Sequence, residues 1–447
     1  MIVHQAYRFA LDPTRRQRRA LASHVGGARF AYNWGLDLVK RRLDERAAGQ
    51  DVEVPWTLPA LRREWNGAKA AVAPWWAENS KEAYGSGLNA LARGLHNWAD
   101  SKQGRRAGAR VGFPRHKRKG RGRQACRFTT GAIRIEADRH HVTLPRLGRL
   151  KTHESTRKLA RRLEQGTARI LAATISQQGG RWFVSFTCQV QRAQQRPRRP
   201  SARIGVDAGV RYLAVLSSGE QVANPRPLAA ALGRLGRMNR QLARQQGPRA
   251  PDGRLRPPSA GWHKTRRKLA RRHARVGNLR AEALHQLTTG LAAEYGTVVV
   301  ERLNVAGMVH NRRLARAIAD SGMGQLRRLL DYKCQWSGGR LVEASTFFAS
   351  SKTCSRCRTV KAKLSLAERT FHCPACGLVV DRDLNAARNL AALVDDIQQI
   401  EQVVAGSGPE TVQNACVRDR QPTGNGGRSG NPDISREAAE SQQPHPV

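Results

Sequence analysis

Two pairs of cysteines in the C-terminal part of the sequence have the spacing of a metal site. Cys354 and Cys357 form one CxxC pair, Cys373 and Cys376 form the other, and fifteen residues separate the pairs. Two such knuckles can supply four thiolates to one tetrahedral zinc ion. Because four sulfur ligands leave no open position for a substrate, we expect this zinc ion to be structural. The alternative is a redox-active CxxC motif.

Three acidic residues follow segments that could bring their carboxylates together. Asp207 and Glu301 each end a run of apolar β-forming residues, and Asp383 follows the second cysteine pair. A carboxylate at the end of a buried strand needs a partner or a metal ion. Three such acids can bind two Mg²⁺ ions, which activate water for phosphodiester cleavage. Taken singly, each acid could be a turn or helix-cap residue, and Asp381 in particular could cap the helix that follows it.

The elements that must position these acids are predicted by the pattern around them. A short strand ends at Asp207, a second strand spans 212–216, and a long basic helical stretch covers about 262–295. The strand that ends at Glu301 comes next, and a helix runs from about Asp383 to 404. This order of strands, helices and acids is the one expected of a ribonuclease H-like fold.

The charge of the chain points to an anionic partner. Its 79 Lys and Arg residues outnumber 34 Asp and Glu residues, which gives a net charge of +45. The positive charge is spread along the chain and no apolar run reaches the ~18 residues that span a bilayer, so nucleic acid is favoured over a membrane. Seven basic residues in two dense stretches are candidate nucleic-acid contacts: Lys117, Arg118, Lys119, Arg121, Arg266, Arg267 and Arg271.

The acidic motifs, in their order, resemble those of the TnpB proteins of bacterial insertion sequences, a family related to the compact CRISPR type V nucleases. Residues 205–210, 300–305 and 381–389 are similar to the three RuvC motifs of that family, and the cysteine pairs lie just before the third. The resemblance covers about residues 1–395. One departure is Arg358, which stands where the family usually has glycine, so we expect a looser first knuckle.

The resemblance implies a site and a function. Asp207, Glu301 and Asp383 would be the catalytic acids and the ligands of two Mg²⁺ ions, because the second aspartate of the third motif is the catalytic one in the family. The function implied is that of an RNA-guided DNA endonuclease that cuts beside a short target-adjacent motif. Its partners would be a guide RNA from the transposon end, target double-stranded DNA and a companion transposase encoded nearby.

The fold class expected is an α/β multidomain protein with a RuvC-like nuclease domain of ribonuclease H fold, a zinc-ribbon insert and an N-terminal small β-barrel-like domain with an inserted helical domain. The expected bounds are a β wedge-like domain at 1–12 and 105–195, a helical recognition domain at 13–104, the nuclease domain at 196–345 and 378–404, the zinc ribbon at 346–377 and a disordered tail at 405–447.

The start of the sequence lacks a secretory signal, and the remaining cysteines are scattered. We therefore expect a protein of the bacterial cytoplasm, associated with the nucleoid.

Two other functions remain open at this point. An RNA-guided repressor would occupy DNA without cutting it, although the intact acids argue against that role. A transposase would join DNA strands itself, and it would have to act without a partner enzyme.

Overall fold

The computed structural model describes residues 1–406 except 121, 123, 194, 248–250, 252, 254–256 and 366, and of 395–406 it describes the backbone. The chain divides into two compact units, Met1–Arg192 and a second that begins at Ala193. The predicted tail, 405–447, lies outside the described residues apart from its first two, which belong to the last helix. The domain bounds predicted within each unit stay predictions.

Two antiparallel sheets form one part of the first unit. Their strands are β1 (Ile2–Leu11), β2 (Gln124–Phe128), β3 (Arg134–Ile135), β4 (His141–Leu144), β5 (Gly148–Lys151), β6 (Ala168–Gln178) and β7 (Arg181–Gln191). The larger sheet has the order β1-β7-β6-β2, and the smaller has the order β3-β4-β5. Gly179 and Gly180 connect β6 to β7 with φ angles of 58° and 76°, a left-handed turn that suits a tight hairpin.

The helices of the first unit are α1 (Arg15–Ala47), α2 (Leu58–Val72), a 3-10 helix (Pro74–Glu78), α3 (Lys81–Lys102) and α4 (Arg157–Glu164). α1 begins at a capping box in which the Thr14 side chain accepts from the Gln17 amide and the Gln17 side chain accepts from the Thr14 amide. Gly87 lets α3 approach α1 closely, because a Cβ atom there would lie 2.0 Å from the carbonyl oxygen of Ala28.

A five-stranded mixed sheet forms the centre of the second unit. Its strands are β8 (Arg199–Ala208), β9 (Tyr212–Leu216), β10 (Gln221–Ala223), β11 (Tyr295–Glu301) and β12 (Arg340–Ala344). They are ordered β10-β9-β8-β11-β12. β9 is antiparallel to β8 and β10, whereas β11 is parallel to β8 and β12. Along the chain, β8, β9, a long helix and β11 follow one another in the order predicted from the sequence.

Helices cover both faces of this sheet. The helices of the second unit are α5 (Pro227–Gln246), α6 (Ala260–Glu294), α7 (Val305–Met308), α8 (Ala315–Ser321), α9 (Met323–Trp336) and α10 (Arg382–Gly406). Val298 and Val300 of β11 join a core with residues of α6 and α9, whereas Val299 between them packs with Leu390 of α10 on the other face. The two-residue period of the strand therefore separates the two layers. A small hairpin of β13 (Thr370–His372) and β14 (Val379–Asp381) precedes α10.

Candidate active site and cysteine cluster

Asp207 and Glu301 lie at one edge of the mixed sheet. Asp207 is the penultimate residue of β8, and Glu301 is the last residue of β11. The two strands are parallel and Val206 pairs with Val300, so each acid follows one residue after a paired position. The register thus brings both acids to the edge where the carboxyl ends of the parallel strands meet.

Asp383 reaches the same edge from a helix. It is the second residue of α10, which packs on the sheet beside β8. Gly205 makes this approach possible, because a Cβ atom there would lie 1.9 Å from the carbonyl oxygen of Ala387 and 2.6 Å from the amide nitrogen of Ala391. Any side chain at position 205 would push α10, and Asp383 with it, away from Asp207.

The three acids interact electrostatically. Burial of its carboxyl, followed by the negative charges of Asp383 and Glu301, raises the pKa of Asp207 to about 7, against the opposing charge of Arg382. Within the described residues, the three carboxylates do not form a group whose oxygens all lie within 4.8 Å of one another. Carboxylate oxygens are the ligands that Mg²⁺ prefers.

The two aspartates at the start of α10 have different roles. Oδ1 of Asp381 accepts hydrogen bonds from the amides of Asp383 and Leu384, at 2.9 and 3.1 Å. Asp381 therefore caps the helix, as the sequence allowed. Asp383 instead pairs with Arg382, whose Nη2 lies 3.1 Å from its Oδ1. This ion pair holds the Asp383 side chain and offsets part of the negative charge around Asp207.

Ser350 connects Glu301 to α10, a relationship that the sequence did not reveal. The Ser350 hydroxyl donates to Oε1 of Glu301 at 2.9 Å, and the Ser350 side chain is buried. The Ser350 carbonyl accepts from Nδ2 of Asn389 at 2.8 Å. Asn385, one turn earlier on α10, donates to the carbonyl of Thr353 and accepts from the amide of Ser355. The segment that leads into the first cysteine pair is thus fastened to both Glu301 and α10.

The four paired cysteines form one cluster. Within the described residues, it is the group of possible metal ligands whose donor atoms all lie within 4.8 Å of one another. The sulfur of Cys354 lies 3.6 Å from that of Cys376, and the sulfur of Cys357 lies 3.5 Å from that of Cys373. A zinc ion with Zn–S bonds of about 2.3 Å holds tetrahedral sulfurs about 3.8 Å apart, so the four donors fit this ion.

Hydrogen bonds favour the thiolate at Cys357, whereas those with the other three cysteines raise the pKa of the Cys376 thiol to about 12. Bonds with the hydroxyl and the amide of Thr359 lower the pKa of the Cys357 thiol to about 6, which makes this thiol easier to deprotonate for a metal. The amide of Arg356 donates to the Cys354 sulfur at 3.4 Å. A redox-active CxxC pair does not require a second pair at the same point, so this geometry favours a structural metal site.

Arg358 closes the first knuckle in a conformation that suits glycine. Its φ angle is 65°, and Gly377 adopts 66° at the matching place in the second knuckle. The Arg358 amide nevertheless donates to the Cys354 carbonyl at 3.0 Å, as the Gly377 amide does to the Cys373 carbonyl at 3.1 Å. The expectation of a looser first knuckle is therefore wrong. The arginine instead adopts a left-handed backbone that costs about 1–2 kcal/mol in a residue with a side chain.

The predicted nucleic-acid contacts of the first unit are anchored on α1 through Lys117. Its amide donates to the Asn33 side chain at 2.8 Å, and its Nζ lies 3.9 Å from the Tyr32 ring centroid. Although Lys117 is exposed as a whole, burial of its ammonium group lowers its pKa to about 8. The other predicted contacts here comprise two exposed residues and one residue outside the described part of the chain: Arg118 and Lys119, and Arg121.

Two neighbouring helices carry basic surface in the second unit. The three residues predicted on α6 are all exposed: Arg266, Arg267 and Arg271. A further stripe on α5 was not singled out from the sequence, although its three- and four-residue spacing was visible there. The stripe lines an open groove of about 710 Å³: Arg234, Arg237, Arg240 and Arg244, with Met238 and Gln241. No helix in the described part of the chain has the length and apolar content needed to cross a bilayer.

Comparisons with known proteins identify relatives along the whole chain. Family models match residues 1–47 (Helix-turn-helix domain), 185–312 (Probable transposase, OrfB of IS605) and 324–390 (Cas12f1-like, TNB domain). A protein of Mycobacterium tuberculosis named "Putative RNA-guided DNA endonuclease" is 39% identical over 95% of this chain and 96% of its own length. Proteins of that same name from Streptomyces pristinaespiralis and, as InsQ, from Escherichia coli K12 are 32% and 27% identical. They cover 87% and 91% of this chain, and 89% and 96% of their own lengths.

A solved Cas12f1 chain in complex with its single guide RNA and target DNA aligns with a TM-score of 0.45 at 13% identity, over 87% of this chain and 99% of that chain. That likeness is too low to inform the fold. The sequence relatives are decisive, because identity of 39% extends over nearly the full length of both chains and the OrfB model matches as well. The chain belongs to the TnpB family.

Proposed function

We propose that this protein is an RNA-guided, Mg²⁺-dependent DNA endonuclease. The proposal rests on the placement of Asp207 and Glu301 at the carboxyl ends of the parallel strands β8 and β11, with Asp383 at the start of α10, which packs beside β8. Carboxylates gathered at the edge of a sheet repel one another unless cations lie between them. The names of the relatives support the same activity for this chain.

Asp207, Glu301 and Asp383 are the residues that would hold two Mg²⁺ ions. Bound there, the ions would lower the pKa of a water molecule and stabilise the leaving oxygen of the phosphodiester. The other residues of the site keep the acids in position. Arg382 orients the Asp383 carboxylate, the Ser350 hydroxyl fixes one oxygen of Glu301, and Gly205 lets α10 approach β8.

The cysteine cluster would bind a structural zinc ion. Its contribution to cleavage is indirect, because the segment before the first cysteine carries Ser350 to Glu301. The four sulfurs occupy all positions of a tetrahedral ion, which leaves none for DNA.

Nucleic acid is the partner that the charge supports. A net charge of +45 needs a polyanion, and the exposed basic residues on α6 suit contacts with phosphates rather than bases. In this proposal the guide RNA comes from the transposon end, the target is double-stranded DNA beside a short motif, and the protein acts on the nucleoid in the cytoplasm. A companion transposase would carry out strand transfer.

The test is purification of the full chain together with the RNA that it binds, followed by sequencing of that RNA. A plasmid that carries the sequence complementary to the guide end of the RNA is then incubated with the complex, with and without Mg²⁺. Mg²⁺-dependent linearisation of this plasmid, and not of a scrambled one, is expected. Binding without cutting would favour the repressor, and strand joining without a partner enzyme would favour the transposase.

A further inference from the structure

Phe347 presents an aromatic ring to solvent in the second unit. It is 94% exposed, more than any other large hydrophobic side chain among the described residues. Its neighbour Phe348 packs on the core that β11, β12 and α10 share. Exposing a phenyl ring forgoes the stabilisation that its burial would provide, and it leaves the ring available to a ligand.

Phe347 belongs to a short segment whose two ends contact a proposed catalytic acid. Ala344, the last residue of β12, pairs with Glu301, and Ser350 donates its hydroxyl hydrogen to Glu301. The segment 345–350 therefore begins and ends beside the same acid. Phe347 is three residues from each of these two points, so its Cα lies within about 11 Å of both.

Hydrogen bonds hold this segment in one shape. The Phe347 amide donates to the hydroxyl of Ser345 at 3.3 Å, and the Phe348 amide donates to the carbonyl of Ser345 at 3.0 Å. The Ser350 amide donates to the carbonyl of Phe348 at 2.9 Å. Because the backbone is already ordered, a ligand that stacks on the ring loses little affinity to the ordering of this turn.

We propose that Phe347 is a stacking site for a nucleobase of the DNA strand that is about to be cut. This inference rests on the proposed function. Every base offers a flat π face, so stacking holds a strand without restricting its sequence. The strand must be single at this point, because the bases of a duplex are already stacked on each other.

A protein partner fits this surface less well. Apolar patches that mark protein interfaces are contiguous and larger than a few hundred Å², whereas the two residues before Phe347 in the chain are the polar Ser345 and Thr346. A single exposed ring offers one flat face to a ligand.

The first measurement compares cleavage by Phe347→Ala, Phe347→Trp and Leu279→Ala complexes. Leu279 is a matched control, because it is also an exposed apolar side chain of the second unit, 47% exposed on α6. Loss of one stacked base is expected to slow cleavage roughly tenfold at limiting DNA for Phe347→Ala, mainly through KM. Phe347→Trp should stay near the parent, as should Leu279→Ala. Parent-like cleavage by Phe347→Ala, or equal losses in Phe347→Ala and Phe347→Trp, would overturn the proposal.

The second measurement does not depend on cleavage. An Asp207→Ala complex is irradiated with single-stranded DNA that contains 5-iodouracil, and the crosslinked peptides are mapped by mass spectrometry. A crosslink at Phe347 is expected, and its absence while other peptides crosslink would contradict the stacking site. If the parent complex fails to cut a plasmid, the proposed function fails, whereas the crosslink still decides the role of Phe347.

Discussion

The hydroxyl of Ser350 donates a 2.9 Å hydrogen bond to Oε1 of Glu301, while the carbonyl of Ser350 accepts from Asn389 of α10. One residue outside the three acids therefore joins the strand that carries Glu301 to the helix that carries Asp383. Ser350 also belongs to the segment that leads into Cys354, the first cysteine of the cluster. The geometry of the acids consequently depends on the segment that precedes the cluster.

Removal of this hydroxyl should weaken the hold of the site on its metal ions. For Ser350→Ala we expect the Mg²⁺ concentration at half-maximal cleavage to rise about 10- to 100-fold, because partners of metal ligands commonly contribute that much. DNA binding should be unchanged. Ser350→Thr keeps the hydroxyl and should restore most of the Mg²⁺ response. Ser351→Ala is the matched control one residue further on, and a parent-like Mg²⁺ titration of Ser350→Ala would refute the link.

Substitutions of the two aspartates at the start of α10 should have different effects on cleavage. Asp383→Asn keeps the shape of the side chain but removes a negative ligand, so cleavage should fall by more than about 100-fold, given the several kcal/mol that metal ions contribute. Asp381→Ser keeps a capping oxygen for the amides of Asp383 and Leu384. It should cut within a few-fold of the parent. Cleavage kinetics of both variants check this, and the reverse ranking would show that the assignment is wrong.

Loss of the cysteine cluster should act on the fold first. Cys373→Ser removes one of four sulfurs, so we expect loss of bound zinc in metal analysis and unfolding of the hairpin β13–β14 at a lower temperature. Cleavage should fall as Ser350 loses its position. Cys334→Ala is the control, because Cys334 is buried in the core with α6 and α9 rather than in the cluster. Its zinc content should equal that of the parent, and unchanged zinc in Cys373→Ser would rule out the four-sulfur site.

His24 should make the first unit sensitive to acid. Its Nδ1–H donates to the Ala20 carbonyl at 2.9 Å, and its Nε2 accepts from the Ser80 amide at 3.1 Å, so the buried ring must be neutral. Burial lowers the pKa of His24. The pKa of this histidine in the unfolded chain is about 6.5. Below that pH the unfolded chain binds more protons than the folded one, so the free energy of unfolding falls as pH decreases from about 6.5 towards the lower pKa of the folded state.

Urea unfolding of the parent and of His24→Gln, at about pH 5 and about pH 7.5, isolates this contribution. The parent should lose more stability at the lower pH than the variant, whose side chain does not titrate. The same pH dependence in both chains would show that His24 is not the group responsible.

The elements that carry the acids could be predicted from the sequence. Glu301 ends a run of four β-branched residues and Asp207 follows the shorter run Ile204-Gly205-Val206, and both patterns favour buried strands. The Asp381 cap was also visible, because a local side chain determines it.

What the sequence could not reveal depends on contacts between distant segments. Ser350 meets Glu301 through a turn whose shape is set by backbone hydrogen bonds, and no local pattern encodes that meeting. The close approach at Gly205 follows from how α10 crosses β8, since a glycine in a strand has several common explanations. At Arg358 the sequence predicted a looser knuckle than the structure has. A residue other than glycine is tolerated at positive φ where surrounding hydrogen bonds and a metal site support it.

Substitution of Asp207 is the sharpest test of the proposed catalytic acids. Asp207→Ala and Glu220→Ala complexes are purified with their RNA and compared with the parent for cleavage of a matching plasmid in Mg²⁺. Glu220 is an exposed acid of the same unit. We expect Asp207→Ala to lose cleavage while it keeps its RNA and its resistance to unfolding, since an acid whose pKa is raised in the folded state does not stabilise the fold. Cleavage by Asp207→Ala at the rate of Glu220→Ala would contradict the assignment of this site.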